Sequence, residues 1–168
     1  MPSSLPMNAD GFTWSTPIPE LDGAEYGAHA LTVNGLMTVY RIAKTTPTKL
    51  GQFVTLWRRS DAGPIRPFDD TDGVMLFVVK AHDEEHLGHF VFPVETLVEY
   101  DIVSTNFSGG KRAIRVYPPW VTPTSVQAVR TQRWQLRHFG EFPDVFSSTV
   151  FSSTAFSATV FSSSDKSQ

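Results

Sequence analysis

The segment VMLFVVKA at residues 74–81 is followed by HFVFP at residues 89–93 and then by VETLVEYDIV at residues 94–103. Apolar runs rich in Val and Phe between polar segments are typical of buried strands, so the first two segments predict a pair of strands. The third segment carries apolar residues at helical spacing, namely Val94, Leu97, Val98 and Ile102. This part of the sequence therefore predicts two strands and then a short amphipathic helix.

Three further strands are predicted on the N-terminal side, at AHALTV (28–33), LMTVYRIAK (36–44) and QFVTLWRR (52–59). The first two flank Asn34-Gly35, a strong signal for a two-residue hairpin. Residues 61–72 predict a loop. On the C-terminal side, AIRVYPPW (113–120) predicts a sixth strand. Thr122-Pro123 then predicts the N-cap of a second helix that reaches Phe139.

Together these segments predict an α/β domain of the mixed α+β kind, with about six strands in a mixed, mostly antiparallel sheet and two helices. We expect this domain to span residues 24–142. Residues 1–23 contain four prolines and predict a disordered or extended lead-in. Residues 143–168 contain repeats such as FSSTV and predict a disordered, low-complexity Ser/Phe/Thr tail.

The composition excludes several classes of protein. The chain contains no cysteine, which excludes disulfides, thiolate metal sites and a cysteine nucleophile, and suits a reducing compartment. The N-terminus lacks the basic and apolar regions of a signal peptide, and no segment approaches the about 20 apolar residues of a spanning helix. We therefore expect a cytoplasmic protein without membrane association, and its oligomeric state stays open.

The net charge of −3 conceals a strong segregation of charges along the chain. No Asp or Glu occurs between Glu25 and Asp61 or between Ile102 and Gly140. Of the 14 Lys and Arg residues, five lie in the first interval and six in the second. If the two intervals meet in the fold, they form a basic face suited to an anionic partner such as nucleic acid. The alternative is an ordinary solvated surface.

Two short loops have the composition of a phosphate-binding site. KTTPTKLG at residues 44–51 surrounds a proline turn with lysines and hydroxyls, and GGKR at residues 109–112 joins two cations to glycines that permit close approach of the backbone. The second helix is expected to carry an arginine stripe beside a packing face of Val129, Gln132, Leu136 and Phe139. The residues expected to contact nucleic acid are Arg41, Lys44, Lys49, Lys111, Arg112, Arg115, Arg130, Arg133 and Arg137, with Trp120 as an exposed ring for base stacking.

Four segments, in the same order, resemble the MepB family: YRIAKTTPTKLGQFVTLWRR (40–59), GHFVFP (88–93), GGKRAIRVYPPW (109–120) and QAVRTQRWQL (127–136). The resemblance covers most of residues 25–139. It implies a core similar to that of restriction endonucleases and a capacity to bind DNA. Members of that family usually carry an N-terminal helix where this chain has its proline-rich lead-in, and the Ser/Phe tail lies outside the family pattern.

A restriction-type nuclease holds Mg²⁺ with two carboxylates and places a lysine beside the attacking water. The candidates here are Asp70, Asp72, Glu25 and Lys44, with Asp72 as the metal ligand, although the strand after Asp72 lacks the acidic-x-Lys motif. A turn with a capping or solvated role is the alternative for Asp70 and Asp72. Three hypotheses follow: a DNA-binding module that needs no cofactor, a Mg²⁺-dependent endonuclease, and a protein-interaction or ligand-sensing partner linked to drug-resistance operons.

Overall fold

The computed structural model describes residues 15, 17–22, 24–60 and 63–140. These ranges contain two helices, α1 (Val94–Glu99) and α2 (Val126–Leu136), and single 3-10 turns at Ala24–Tyr26 and Asp70–Asp72. The strands, in chain order, are β1 (Ile18–Pro19), β2 (His29–Val33), β3 (Leu36–Ile42), β4 (Lys44–Thr45), β5 (Gln52–Thr55), β6 (Trp57–Arg59), β7 (Ile65–Pro67), β8 (Leu76–His82), β9 (Leu87–Pro93), β10 (Ala113–Val116) and β11 (Phe139–Gly140). The chain therefore has the mixed α+β architecture that the sequence predicts.

Six strands form the main sheet in the order β1-β2-β3-β8-β9-β11. β3 and β8 pair in parallel and the other neighbours are antiparallel, so the sheet is mixed and mostly antiparallel. The predicted hairpin joins β2 to β3 through Asn34 and Gly35, whose φ angles are 52° and 82°. Two successive positive φ angles are typical of the type I′ turn, whose twist matches that of the flanking strands.

The main sheet is buried on both faces. On one face Phe77 and Phe92 belong to a large apolar cluster that also contains Leu97 of α1 and Trp134 of α2. A second cluster on the opposite face consists of Leu31, Val33, Tyr40, Leu76, Val78 and Val91. Because both faces are covered, β8 and β9 are nearly continuous apolar runs instead of alternating apolar and polar residues.

Two smaller sheets lie beside the main one: a three-stranded sheet in the order β10-β5-β4, and a ribbon of β6 and β7. Gln52 links the three-stranded sheet to the end of β8, because its amide nitrogen donates to the carbonyl of His82 (2.7 Å) and its amide oxygen accepts from the His82 N–H (3.2 Å). This link fixes the position of the small sheet relative to the core.

Two sequence predictions about this region are wrong. The run at residues 52–59 is not one strand, because Leu56 divides it between β5 and β6, which belong to different sheets. The segment at residues 61–72 is not only a loop in its described part, because it contains β7 and the 3-10 turn at Asp70–Asp72. Both errors concern which strands pair, and that depends on partners distant in the sequence.

The first helix is shorter than predicted. α1 ends at Glu99 and does not extend to Val103. The backbone turns left-handed at Asp101 (φ 59°), and the N–H of Ile102 donates to the carbonyl of Leu97 (2.8 Å). Ile102 and Val103 are still buried, so the apolar spacing identified core residues correctly beyond the end of the helix.

The second helix also starts later than predicted. Its N-cap is Ser125, whose hydroxyl accepts from the N–H of Ala128 (3.1 Å), and Thr122-Pro123 precedes the helix as extended chain. Its packing face differs as well: Val129 is 38% exposed, whereas Trp134 and Gln135 are buried. The predicted packing face did not include Gln135, although this buried polar side chain is central to how the helix packs.

The described N-terminal residues contact the main sheet. β1 pairs with β2, and the N–H of Glu20 donates to the carbonyl of Ala28 (2.9 Å), so the described part of the proline-rich segment is extended and packs beside β2. The predicted tail at residues 143–168 lies outside the described residues. Within the described ranges, no helix is long and apolar enough to cross a membrane.

A buried histidine in β9 makes stability depend on pH. Burial, together with the charges of Lys80 and His82, lowers the pKa of His89 to about 3. Because the unfolded chain binds this proton at about pH 6.5 and the folded chain does not, the free energy of unfolding falls as the pH drops below 6.5. We expect a loss of up to about 1.4 kcal/mol per pH unit from this residue. Urea unfolding of the protein between pH 7 and pH 4 measures it.

The matched control is His89→Asn, which cannot titrate in this range. His29 and His138, whose pKa values burial also lowers, remain in the variant, so the difference between the two pH profiles isolates His89. We expect the variant to be less stable at neutral pH and to have a flatter profile. Parallel profiles would contradict the assignment.

Candidate nucleic-acid interface

The two carboxylate-free intervals of the sequence meet in the three-stranded sheet. Arg115 of β10 lies opposite Phe53 of β5, which in turn lies opposite Lys44 of β4. The Arg115 guanidinium also donates to Thr46 Oγ1 (3.0 Å) and to the carbonyls of Leu50 (3.1 Å) and Gly51 (3.2 Å). The loop between β4 and β5 is therefore held against β10, which brings both basic intervals to one surface.

Cations and aromatic rings alternate across the outer face of this sheet. The Lys44 ammonium lies 4.6 Å from the centroid of the Tyr26 ring, and the Arg115 guanidinium lies 5.8 Å from that of Phe53. The two rings pack edge to face with their centroids 6.2 Å apart. Such cation–ring contacts orient long side chains while leaving their charge available to an anion.

The GGKR loop presents its two cations from a constrained turn. The N–H of Gly110 donates to Asp101 Oδ1 (3.0 Å), and the N–H of Lys111 donates to the carbonyl of Ile102 (2.9 Å). The Arg112 carbonyl accepts from the N–H of Leu56, while both basic side chains are exposed. The backbone is thus fixed and the charges face solvent.

Gly110 is required at this turn. Its φ is +87°, and a Cβ atom there would lie 2.9 Å from Pro67 Cβ and 3.0 Å from Ser104 Cβ. Gly73 is a matched control, because its φ is +86° but a Cβ atom would meet nothing within 4 Å. We expect Gly110→Ala to lower the free energy of unfolding by roughly 1–3 kcal/mol and Gly73→Ala by about 1 kcal/mol. Denaturant unfolding measures both, and equal losses would contradict the steric argument.

Helix α2 is fastened to the free edge of β10 by one side chain. The Gln135 amide nitrogen donates to the carbonyl of Arg115 (3.0 Å), and its oxygen accepts from the N–H of Tyr117 (2.9 Å). This amide pairs with the strand as a further strand would. It places α2 beside the basic loop, with Arg130, Arg133 and Arg137 exposed as the sequence predicts.

A cleft of about 510 Å³ lies between β10 and α2. Lys111 and Arg115 line it on the β10 side, and Gln127 and Thr131 line it on the α2 side. At 100° per residue, Arg130 lies about 60° from Gln127 on the helical wheel, so the arginine stripe borders the cleft. Positive charge therefore lies on the Lys111 side of the cleft and beside its α2 wall at Arg130.

We define the basic face as eight cations carried by the three-stranded sheet, its adjoining loops and α2: Lys44, Lys49, Lys111, Arg112, Arg115, Arg130, Arg133 and Arg137. In the part of the chain that the structure describes, none of them forms an ion pair with a carboxylate. Their positive charge is consequently not cancelled locally, and the surface is strongly electropositive despite the net negative charge of the chain.

The structure places one predicted contact residue elsewhere. Arg41 is only 3% exposed, and its guanidinium pairs with Glu20 (3.0 Å), so it cannot reach a surface phosphate. Burial lowers the pKa of Arg41, and the carboxylate of Glu20 acts in the opposite direction. Arg58 and Arg59 are also paired, with Asp72 (3.6 Å) and Asp22 (3.4 Å).

Trp120 is half-buried and is not the exposed ring that the sequence predicts. It stacks on His86 with ring centroids 4.6 Å apart and an interplanar angle of 9°. The rings at the basic face are instead Tyr26, Phe53, Tyr100 and Tyr117. Strand alternation is a sequence signal for Phe53, because it places this ring on the face opposite the buried Val54.

The carboxylate of Asp72, the predicted metal ligand, forms hydrogen bonds with other residues of the chain. Its two carboxylate oxygens accept from Arg66 at 2.9 Å each, and one also accepts from the N–H of Asp69 (2.7 Å) in a capping box. Burial acts to raise the pKa of Asp72, but the hydrogen bonds and charge of Arg66 outweigh it and lower the pKa. The capping alternative therefore describes Asp72.

The other nuclease candidates do not complete a metal site at Asp72. Asp70 lies in the same 3-10 turn as Asp72 but is exposed, Glu25 is exposed in the 3-10 turn at Ala24–Tyr26, and Lys44 contacts the ring of Tyr26. In the described ranges, no three His, Asp or Glu side chains stand close enough together to hold a metal ion. The residues present there do not fit a Mg²⁺ site.

Comparison with known proteins agrees with the order of the motifs. The family model described as MepB-like matches residues 20–141. A solved structure titled "Crystal Structure of MepB" matches with a TM-score of 0.73 and 34% sequence identity, over 76% of this chain and 85% of that chain. No curated protein matches the chain. The family match includes the main sheet except β1, the three-stranded sheet and α2, and hence the whole basic face and the cleft.

Proposed function

This chain belongs to the MepB-like family, and we propose that it is a nucleic-acid-binding module whose partner is DNA. The observation that carries the proposal is the basic face, eight exposed or half-exposed cations gathered from two distant parts of the sequence without carboxylate partners in the described ranges. Nucleic-acid phosphates are spaced densely enough to engage several such cations at once.

The chemistry of the basic face favours contact with the DNA backbone. Lys49, Lys111 and Arg112 lie on loops whose backbone is held by hydrogen bonds or turns, which lowers the entropic cost of binding an anion. Phe53 and Tyr26 lie between the cations, where ring faces are suited to base contacts. The proposal includes a cytoplasmic location, because a sequence without cysteine suits a reducing compartment.

We also propose that the core is arranged as in restriction endonucleases, as the family resemblance implies. The mixed sheet supports this, because the parallel pair of β3 and β8 lies at its centre with antiparallel strands on both sides. In such an arrangement the fold can supply a DNA-binding surface without retaining cleavage.

Mg²⁺-dependent cleavage has less support than binding, because Asp72 is engaged by Arg66 and the strand that follows it lacks the acidic-x-Lys motif. A protein-interaction role would use the same exposed surface, and no particular contact favours it. The experiment below distinguishes all three functions.

The test is fluorescence anisotropy with labelled single- and double-stranded DNA over a salt series, with and without Mg²⁺, followed by gel analysis of the same samples. If five to eight of the cations contact phosphates, the logarithm of the binding constant falls with the logarithm of salt concentration at a slope of about −4 to −7 for duplex DNA. Binding that is independent of salt, or no binding, would contradict the proposal. Mg²⁺-dependent fragments would instead support the nuclease.

A further inference from the structure

The floor of the cleft between β10 and α2 is the end of an aromatic stack. Trp134 packs against Phe92 with ring centroids 5.6 Å apart, and Tyr100 stacks on Trp134 at 4.1 Å with an interplanar angle of 5°. Trp134 is buried, whereas Tyr100 is partly exposed and lines the cleft. In the described ranges no further ring stacks on Tyr100, so this ring ends the stack where the cleft opens.

The polar groups around Tyr100 complement a nucleotide. Gln127 and Thr131 line one wall, and their side chains make no protein hydrogen bond within the described ranges. Lys111 and Arg115 line the other wall, where Lys111 is the exposed cation and the Arg115 guanidinium is held by the β4–β5 loop. The cleft volume of about 510 Å³ lies inside the range of about 300–1,000 Å³ that is usual for small-ligand sites.

The walls are also fixed in place. Gln135, which is only 1% exposed, holds α2 to β10. Its side-chain amide forms hydrogen bonds with the carbonyl of Arg115 and with the N–H of Tyr117. A cleft whose walls are fastened in this way is preorganised, so a ligand need not order it on binding.

We propose that this cleft binds one unpaired nucleotide, with its base against Tyr100, its edge towards Gln127 and Thr131, and its phosphate towards Lys111. This inference rests on the proposed function and deepens it, because it names the preferred form of the nucleic acid. A paired base cannot enter a cleft without leaving its duplex, so the protein binds single-stranded or frayed DNA more tightly than a blunt duplex.

The test compares Tyr100→Leu with Phe139→Leu, because both rings are partly buried against the same core cluster and only Tyr100 lines the cleft. The probes are a labelled oligothymidylate, a blunt duplex of equal length, and thymidine monophosphate as a free nucleotide. We expect Tyr100→Leu to weaken oligothymidylate binding by about 5-fold to 150-fold, the range that stacking of one base spans, and to change duplex binding by less than about twofold. Phe139→Leu changes neither.

A second pair of variants tests the cleft independently, in case Tyr100→Leu does not fold. Thr131→Leu narrows the cleft from α2, and Val129→Leu adds bulk on the exposed side of the same helix. If Thr131→Leu loses oligothymidylate binding and Val129→Leu does not, the result supports nucleotide binding in the cleft. If thymidine monophosphate binds as tightly as the oligonucleotide and Thr131→Leu abolishes that binding, the occupant of the cleft is a free nucleotide.

The outcomes separate the two proposals. If the protein binds both DNA forms and neither Tyr100→Leu nor Thr131→Leu affects the single strand selectively, the cleft inference is overturned and the basic face stands. If the protein binds neither DNA form at any salt concentration, the proposed function fails, and the cleft as a site within a DNA strand fails with it.

Discussion

Reversing Lys111 and Arg112 to glutamate lowers the affinity for DNA by at least about 100-fold at low salt. Hydrogen bonds to charged groups contribute about 1.5–3 kcal/mol each, and each 1.4 kcal/mol is tenfold in affinity, so the loss of two phosphate contacts accounts for this factor. Both side chains are exposed and lie on a fixed turn, so the reversal leaves the fold intact. Anisotropy titration with the same DNA probes measures the change.

The control variant is Arg58→Glu with Arg59→Glu, which changes the net charge of the chain by the same amount. These two arginines pair with Asp72 and Asp22 outside the basic face. We expect this variant to lose less than about fivefold in affinity, which is the long-range effect of net charge alone. Equal losses in the two double variants would show that binding follows net charge and not the basic face.

Replacing Asp69 by alanine lowers the free energy of unfolding by about 3–5 kcal/mol, because it removes a buried carboxylate that accepts four hydrogen bonds, and hydrogen bonds to a charged group contribute about 1.5–3 kcal/mol each. Asp69 is only 2% exposed. Its carboxylate accepts from Ser104 Oγ (2.6 Å), from both the hydroxyl (2.6 Å) and the N–H (3.1 Å) of Thr71, and from the N–H of Phe107 (2.6 Å). Urea unfolding at neutral pH measures the loss.

The neighbouring Asp70 is the matched control, since it is exposed and accepts only one long hydrogen bond, from the N–H of Asn106 (3.5 Å). We expect Asp70→Ala to cost less than about 1 kcal/mol, as is usual for surface substitutions. Similar losses at the two positions would refute the role given to Asp69.

The pH dependence of Asp69 follows from the same contacts. Burial acts to raise the pKa of Asp69, but its hydrogen bonds outweigh this effect and hold the pKa well below the ordinary value. A carboxyl group whose pKa is lower in the folded state stabilises the fold above its unfolded pKa of about 3.9 and loses this effect as the pH falls further. Asp69 also holds the turn that leads to Gly110, so acid loosens the loop that presents Lys111.

The segregation of charge explains how an acidic chain carries a basic surface. In the described ranges several acidic side chains neutralise particular arginines, as Glu20 does for Arg41. Ion pairing in the described ranges thus neutralises four arginines, namely Arg41, Arg58, Arg59 and Arg66, and leaves the charge of the basic face uncancelled. The linear sequence shows the segregation but not which cations are paired.

Local patterns predicted much of the fold. Asn34-Gly35 identified a hairpin because its conformation is set by those two residues, and the apolar runs of β8 and β9 identified the central strands because both faces are buried. The division of residues 52–59 at Leu56 was not predictable from local pattern, because it depends on β10 and β7, which lie elsewhere in the sequence.

The charged residues of the candidate site were largely predictable from the sequence. Lys111, Arg112 and the α2 stripe could be identified because turns and helical periodicity predict exposure. Arg41 could not be excluded, because its burial depends on Glu20, 21 residues earlier in the chain. The cleft was not predictable, since Tyr100 meets Trp134 only after α1 and α2 have packed together.

The most direct test of the basic face is an NMR titration of the isotopically labelled protein with a short DNA strand, following the backbone amide signals. We predict that the signals of Lys111, Arg112 and the exposed side of α2 shift in proportion to bound DNA, while those around Arg41 and Asp72 stay unchanged. Shifts confined to the surroundings of Arg41 and Asp72, or none on addition of excess DNA at low salt, would contradict the account.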